Sequence, residues 1–240
     1  PLNDYRPHQA KNPENRCCTY CLRNGAMVYE TVAHVFNTCP KYRPAMTRRH
    51  NNAAAIILTA IRSARNNDGG GPVAPAAVTI QTESSLGWLT DNRLDHPMKK
   101  EYYKRATGLD NDPCLLRPDA YVLDAQQGTV TPVEFTIPDD TNIKDAIRRK
   151  HSKYDIPLKM CADAGIVHNY RLMPLAVIAI GTWGSTTPTV TNSLIRLGIP
   201  PEAIEPLLRR VCKANMRHND IIARNRFAVR SRFLATLPEA

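Results

Sequence analysis

The sequence lacks a long apolar run, a cysteine pattern typical of secreted proteins, and an excess of acidic side chains. No apolar segment approaches the roughly 20 residues that a helix needs to span a bilayer, and the first residues show no signal-peptide core. The seven cysteines are an odd number, with four in the first 39 residues, which argues against a disulfide framework and for a metal site. Lys and Arg number 32 against 22 Asp and Glu, giving a formal charge of +10. We therefore expect a polyanionic partner, and nucleic acid rather than a membrane surface.

Length and composition indicate one medium domain with a small appendage. A chain of 240 residues, of which 42% are hydrophobic, can bury a sizeable core. We predict a connector and a Cys/His unit over residues 1–51, and an α/β domain with basic C-terminal helices over residues 52–240.

Apolar periodicity and turn residues predict the order of elements in the larger domain. A helix with an asparagine cap is expected to begin at Asn51 or Asn52 and to stop before a turn-rich loop at residues 66–72. The other expected elements are strands over residues 78–82, 119–123, 130–137 and 172–180, a helix over residues 142–161, and basic helices from about Glu202. This order indicates a mixed sheet covered by helices.

Cysteine and histidine residues near the N-terminus have the spacing of a zinc site. Cys18 and Cys21 form a Cys-x2-Cys pair, and His34 and Cys39 follow with four residues between them. Three thiolates and one imidazole complete a tetrahedral zinc shell, which leaves no open position for catalysis. The twelve-residue gap between Cys21 and His34 is long, and Cys17 is an alternative to Cys18 as the ligand. Unrelated thiols in a loop are the other interpretation.

Two acidic residues in neighbouring predicted strands are candidates for a second metal site. Arg117-Pro118-Asp119 leads into one strand, and Glu134 lies within the next. Two carboxylates on adjacent strands can converge on Mg²⁺ or Mn²⁺, which take oxygen ligands and activate water for attack on phosphate. The pair alone is a weak pattern, because Pro-Asp is common in turns and the two acids can also be unrelated.

A lysine on the following predicted helix strengthens this pattern. Ile143, Ile147, Lys150 and Tyr154 are spaced by four, three and four residues, so they share one face of the helix. A lysine that faces the sheet is unfavourable unless it meets carboxylates or bound phosphate, so Lys150 is the first candidate for a catalytic amine. Lys153 lies to one side of this face and is the second candidate. The alternative is that Lys150 extends its amine past the sheet edge into water.

Basic residues at further places are candidates for DNA contacts. One group follows the Cys/His unit, and another lies in the tail, where seven Arg and one Lys between residues 209 and 232 face a single Asp. Asn51 is either a helix cap or a functional residue, and a solvated charged face is the ordinary alternative for the tail. The candidate DNA contacts are Arg48, Arg49, His50, Arg117, Arg209, Lys213 and Arg217.

Taken in order, these motifs resemble the C-terminal region of non-LTR retrotransposons that carry a restriction-enzyme-like endonuclease. The resemblance covers roughly residues 17–185 and rests on Cys18-x2-Cys21, Glu30-Thr31-x2-His34-x4-Cys39-Pro40, Arg49-His50-Asn51, Arg117-Pro118-Asp119, Glu134 and Lys150-x2-Lys153-Tyr154. It implies an α/β PD-(D/E)xK nuclease core preceded by a CCHC zinc knuckle. The second acid of the family is commonly Asp, whereas this chain has Glu134. Thr136 stands where a lysine would follow that acid, so the helix must supply the lysine.

The resemblance implies a magnesium-dependent endonuclease that nicks target DNA, whose free 3′ end then primes reverse transcription by an upstream domain. Under this interpretation Asp119 and Glu134 bind Mg²⁺ or Mn²⁺, Lys150 or Lys153 is the catalytic lysine, and the zinc is structural. Element RNA and the upstream reverse-transcriptase domain are further expected partners, and the nucleus is the expected location. The alternatives are an inactive module that binds nucleic acid, and an assembly domain that uses the knuckle for protein contacts.

Overall fold

The computed structural model describes residues 17–66, 78–164 and 170–234, and it describes the side chains over the same residues except 66, 164 and 227–234. The first 16 residues of the predicted connector and Cys/His unit lie outside the described residues, and so does the predicted loop after residue 66.

Helices predominate in the described part of the chain. The helices are α1 (Thr19–Arg23), α2 (Arg43–Asn66), α3 (Leu86–Leu89), α4 (Pro97–Thr107), α5 (Ile143–Ala164), α6 (Pro188–Arg196) and α7 (Pro201–Leu234). The strands are β1 (Val78–Thr82), β2 (Ala120–Asp124), β3 (Thr129–Thr136), β4 (Arg171–Leu172) and β5 (Ala176–Ala179). A π-helical turn (His34–Thr38) and 3₁₀ turns at Pro40–Tyr42, Pro113–Leu115 and Asp140–Asn142 lie between them. None of the described helices combines the length and the apolar character needed to cross a lipid bilayer.

The strands form one mixed sheet with β3 at its centre. β1, β2 and β3 run antiparallel in chain order, and the β2–β3 ladder ends at the pair of Ala120 and Val133. On its other side β3 pairs in parallel with β4 and β5, to which α5 connects it. The residues of β3 from Thr129 to Phe135 are all buried, as expected of a strand that is covered on both faces.

The predicted strands and the helix that follows them are confirmed, with ends shifted by a few residues at most. The predicted strand over residues 172–180 is present as two pieces, β4 and β5. Pro174 lies between the pieces and has no N–H to donate to a ladder. The chain is therefore an α/β protein with a mixed sheet flanked by helices.

The predicted start of the first long helix is wrong. α2 begins at Arg43, so Asn51 lies inside the helix and does not cap it. Pro44 is the second residue of α2, where a missing N–H costs no helical hydrogen bond. The predicted boundary between residues 51 and 52 falls within this continuous helix, which joins the Cys/His unit to the sheet.

Helices α3, α4 and α6 are absent from the sequence-based prediction. In α4 the ring of His96 accepts the N–H of Met98, Pro97 is the first helical residue, and Gly108 with a φ of +68° ends the helix. Tyr103 is the buried residue of α4, so the apolar stripe of this helix is too narrow for periodicity to reveal.

Two apolar clusters hold the fold together. The larger one lies between the sheet and its helices and includes Ile57, Tyr154, Ile178 and Leu194, all nearly inaccessible to solvent. The smaller one surrounds the Cys/His unit and takes in Ile222 from α7. The Cys/His unit is therefore packed against the last helix as well as the start of α2.

Candidate functional site

Four side chains near the N-terminus converge as their spacing predicts. The ligand atoms of Cys18, Cys21, His34 and Cys39 all lie within 4.8 Å of one another, and all four residues are buried. The Sγ atoms of Cys18 and Cys39 are 3.8 Å apart, and Cys21 Sγ is 3.4 Å from His34 Nε2. Zinc bonds of about 2.3 Å to sulfur and about 2.0 Å to nitrogen imply separations of roughly 3.8 and 3.5 Å around a tetrahedral ion. The cluster can therefore bind a metal such as zinc.

The surroundings prepare these side chains for a cation. Cys18 and Cys21 lie at the start of α1, whereas Cys17 is not a member of the cluster. His34 Nδ1 is 3.1 Å from Thr38 Oγ1, which orients the ring so that Nε2 faces Cys21. Burial lowers the pKa of His34, so its ring is neutral and can act as a ligand. Burial and the neighbouring thiols raise the pKa of Cys21 to about 12, so the thiolate needs a cation to stabilise it.

A buried ion pair joins the Cys/His unit to the last helix. Arg226 of α7 contacts the carboxylate of Glu30, and both residues are buried. Ile222, one turn earlier, packs against the cysteines. Arg226 belongs to the stretch predicted to face DNA, but in the structure its charge meets Glu30 inside the protein. Arg226 is therefore not one of the exposed basic residues of the tail.

Asp119 and Glu134 meet where β2 and β3 begin to separate. The two residues are opposite in the β2–β3 register, one step past the last paired residues. Glu134 Oε2 accepts the N–H of Asp119 at 3.0 Å, and Asp119 Oδ2 accepts the N–H of Phe135 at 2.6 Å. These bonds take the place of ladder bonds that β2 no longer provides. They hold both carboxylates at the same end of the β2–β3 ladder.

Lys150 of α5 lies beside the acid pair, on the helix face that periodicity predicted. Its Nζ donates to Glu134 Oε1 at 2.6 Å. Tyr154, one turn later, is buried and donates its hydroxyl to the carbonyl oxygen of Arg117 at 2.7 Å, which fixes the turn before β2. Lys153 Nζ donates to the Tyr154 hydroxyl at 3.0 Å instead. The contacts therefore favour Lys150 over Lys153 as the amine next to the acids.

The two acids differ in their ionisation because their surroundings differ. Burial opposes ionisation of Asp119, but hydrogen bonds from His50 and Phe135 outweigh it and hold the pKa of Asp119 below its ordinary value. Burial and the negative charge of Asp119 raise the pKa of Glu134, and Lys150 offsets only part of this rise. A divalent cation between the two carboxylates would relieve both the burial and the repulsion. The donor set has the oxygen chemistry that Mg²⁺ or Mn²⁺ requires.

His50, which the sequence offered as a DNA contact, lies at the acid pair. Its Nε2 is 3.4 Å from Asp119 Oδ2 and 3.2 Å from the carbonyl oxygen of Phe135. The hydrogen bond to Asp119 raises the pKa of His50 to about 9, and burial opposes this rise only in part. A signal for this position is present in the sequence. Once α2 includes His50, this residue shares a helix face with Ile57 and Ile61, seven and eleven positions later, which are fully buried.

Arg49 is engaged inside the protein, which corrects its assignment as a surface contact for phosphate. The side chain is 2% exposed. Its guanidinium donates to Asn219 Oδ1 at 2.6 Å, to the carbonyl oxygen of Phe36 at 2.9 Å and to Asn37 Oδ1 at 3.2 Å. Burial lowers the pKa of Arg49 to about 10. This residue joins α2 to α7 and to the Cys/His unit.

Of the other predicted DNA contacts, Arg117 borders the acid pair from the solvent side. Arg117 is exposed and lines a groove of about 400 Å³ together with His50, Asn51 and Asp119. Arg48 is exposed on the same helix as His50. The positive charge of Arg117 therefore lies at this groove, which Glu83 also lines.

The remaining predicted DNA contacts lie on α7. Arg209, Lys213 and Arg217 are all exposed and follow one another by about one helical turn. Arg209 is paired with Glu205 at 2.6 Å, and an exposed pair of this kind contributes little to stability. All three side chains are open to a polyanion that approaches from solvent.

No protein-family model matches the chain, and no curated protein matches it. The choice of a function therefore depends on the geometry of the acid pair and of the Cys/His cluster.

Proposed function

We propose that the chain is a metal-dependent DNA endonuclease with a PD-(D/E)xK active site and a structural zinc knuckle. One observation carries the proposal: Lys150 Nζ lies 2.6 Å from one oxygen of Glu134, whose other oxygen accepts the N–H of Asp119. Glu134 is 2% exposed, and a charge buried to this extent is unfavourable without such partners. The opposite pKa shifts of Asp119 and Glu134 are typical of sites that bind charged ligands and carry out chemistry.

Each residue has a defined task in this proposal. Asp119 and Glu134 hold a divalent cation, which when bound activates water and neutralises charge on the scissile phosphate. Lys150 supplies N–H donors and a positive charge beside Glu134, so it stabilises the negative charge that develops on the phosphate. Tyr154 anchors the helix of Lys150 to the turn that precedes Asp119.

The distribution of charge supports DNA as the substrate. The chain carries +10, and exposed Arg117 lines the groove beside the acid pair. Arg209, Lys213 and Arg217 add an exposed basic edge on α7. The resemblance to retrotransposon endonucleases extends the proposal to a nick that primes reverse transcription by an upstream domain, with element RNA as a second partner.

The Cys/His cluster has a structural role in this proposal. All four ligands are buried protein side chains, so a bound zinc has no open position. Cys39 lies just before the 3₁₀ turn that leads into α2, and α2 carries Arg48 and His50. A zinc ion there would fix the end of the helix that borders the groove.

Nicking of supercoiled plasmid DNA tests the proposal. Asp119→Asn keeps the shape of the side chain and removes its charge, so nicking in Mg²⁺ or Mn²⁺ should fall by about 100-fold or more. Asp145→Asn is the matched control, because Asp145 is exposed and pairs with Arg148 on the surface of α5. Equal nicking by the wild type and Asp119→Asn would contradict the proposed site. Tight DNA binding without nicking by the wild type would favour a nucleic-acid-binding module instead.

A further inference from the structure

Three polar atoms meet at the acid pair: one from α2, one from β3, and one from Asp119 in the turn before β2. His50 Nε2 of α2 is 3.4 Å from Asp119 Oδ2 and 3.2 Å from the carbonyl oxygen of Phe135 in β3. A single N–H cannot point well at two oxygens at once, and the two distances lie at and just beyond the long end of the hydrogen-bond range. Two neighbouring ligands of an octahedral ion, each about 2.1 Å from it, are separated by roughly 3.0 Å. The observed separations are within a few tenths of an ångström of this value.

The carbonyl oxygen of Phe135 is open to an ion because of the sheet topology. The β2–β3 ladder ends at Val133, whereas β3 continues to Thr136. The N–H of Phe135 is bound by Asp119 and its carbonyl oxygen faces His50, so neither group is used by a neighbouring strand on that side. A backbone oxygen and a carboxylate oxygen thus lie on the same side of the His50 ring.

The ring of His50 is held from its other sides, so Nε2 is the nitrogen that faces these oxygens. Its Nδ1 lies 3.2 Å from Asn51 Oδ1. The ring also packs edge-on against the ring of Phe135, with the centroids 6.5 Å apart. An imidazole fixed through its second nitrogen is the usual arrangement for a metal ligand.

We propose that His50, through Nε2, is a direct ligand of the divalent cation held by Asp119. The inference rests on the proposed function, since it names the ligand set and the cation class of the same site. Imidazole nitrogen is a better ligand for transition-metal ions than for Mg²⁺, which prefers oxygen. The site should therefore bind Mn²⁺ in preference to Mg²⁺.

Pulsed electron paramagnetic resonance of the zinc-loaded protein with equimolar Mn²⁺ tests the proposal. The wild type should show nitrogen modulation from a coordinated imidazole, and His50→Gln should lose it and bind Mn²⁺ about tenfold or more weakly. Zinc in the Cys/His cluster prevents His34 from contributing a signal. His218→Gln is the matched control, because His218 lies on α7 beside Asn52, and it should keep both the modulation and the affinity.

A second variant at the same position keeps the test valid if His50→Gln does not fold. His50→Asp retains a ligand of oxygen type, so it should bind a cation but shift the preference from Mn²⁺ toward Mg²⁺. Failure of both variants to alter the Mn²⁺ spectrum or affinity would overturn the role of His50.

The outcomes separate this inference from the nuclease proposal. If Asp119→Asn abolishes Mn²⁺ binding but the wild type shows no nitrogen modulation, the role of His50 fails and the nuclease proposal stands. If the modulation is present but the wild type does not nick DNA in Mn²⁺, His50 is a ligand and the nuclease proposal fails. Absence of Mn²⁺ binding at the acid pair would overturn both.

Discussion

Arg48 and Arg49 are adjacent in sequence but have opposite surroundings. Arg48 is exposed on α2, whereas Arg49 is buried and donates to acceptors on other segments. Adjacent helical residues lie about 100° apart, so one can face solvent while the other faces the core. A sequence that leaves the helix start uncertain does not reveal which of the two faces inward. The sequence alone therefore presents both as surface arginines.

We expect Arg49→Met to lower the free energy of unfolding by about 3 kcal/mol, because buried acceptors on Asn219 and Phe36 lose their donor. Arg48→Met should change the free energy of unfolding by less than about 0.5 kcal/mol. It should also reduce the slope of log K for DNA binding against log salt concentration by about one. Denaturant unfolding and DNA binding over a salt series measure the two effects. A fully stable Arg49→Met with weakened DNA binding would contradict the internal role of Arg49.

His50 should make the stability of the zinc-loaded protein depend on pH when Mg²⁺ and Mn²⁺ are absent. Its pKa is raised from 6.5 to about 9 by the Asp119 hydrogen bond, so the folded state holds the proton more tightly than the unfolded state. The stabilisation is complete below pH 6.5 and is lost as the pH rises through about 9. The shift sets an upper limit of roughly 3 kcal/mol on this loss. The free energies of unfolding of the wild type and His50→Gln across this range measure it.

His218→Gln is the control for this pH dependence. Burial and the positive charges of Arg48 and Arg49 lower the pKa of His218 from 6.5. Titration of His218 therefore changes the free energy of unfolding only below about pH 6.5. The difference between the wild type and His218→Gln should therefore be constant above pH 6.5. A constant difference for His50→Gln in the same range would argue against its contact with Asp119.

The acid site shows how far single residues can be inferred from a sequence. Strand patterns and helix periodicity identify Asp119, Glu134 and Lys150 as candidates, because the position of each residue within its element follows from local spacing. The place of His50 and of the Phe135 carbonyl depends on where α2 begins and where β2 ends. These are long-range facts that the local pattern does not contain.

Among the elements, the Cys/His unit is built together with two helices and is not an independent appendage. Its apolar cluster includes Ala45 of α2 and Ile222 of α7, and Glu30 pairs with Arg226 of α7. Cys39 is fully buried in the same cluster. Loss of a bound metal should therefore affect more of the chain than the short segment that supplies the ligands.

Removal of zinc by a chelator should increase amide hydrogen exchange in residues 17–45 and in α7 near Ile222, and leave β1–β3 protected. The reason is that the thiolates would repel one another or take up protons within a cluster shared with both helices. Exchange measured by mass spectrometry and zinc content by elemental analysis provide the data. Cys39→Ser should reproduce the effect, whereas Cys114→Ser, at a buried thiol outside the cluster, should not. Unchanged exchange in a fully zinc-free protein would contradict the metal site.

Element prediction succeeded where one face of a segment is clearly apolar. β1, β2, β3 and α5 have such faces, and their positions follow from the sequence. α4 buries Tyr103 and is otherwise largely polar, and its ends are set by His96 and Gly108. Short helices of this kind are stabilised by their caps and by tertiary contacts, which periodicity does not report.

At the scale of the whole molecule, the excess positive charge is less concentrated than the sequence suggested. Arg226 neutralises Glu30, and the exposed Arg209 and Arg224 pair with acids on their own helix. Composition gives the net charge, but only the packing shows which charges face solvent. The acid pair with Lys150 therefore carries the functional assignment, and the basic surface has a supporting role.

The most direct test of the account asks whether the acid pair and Lys150 act as one unit. Single-turnover nicking rates would be measured in Mn²⁺ for the wild type, Asp119→Asn, Lys150→Met and the double variant, with Lys144→Met as a control at an exposed lysine on α5. We predict that Asp119→Asn and Lys150→Met each slow nicking by about 100-fold or more. The double variant should be little slower than either, because the effects of residues that act together are not additive. Nicking by Lys150→Met at the rate of Lys144→Met, or losses that multiply in the double variant, would contradict the account.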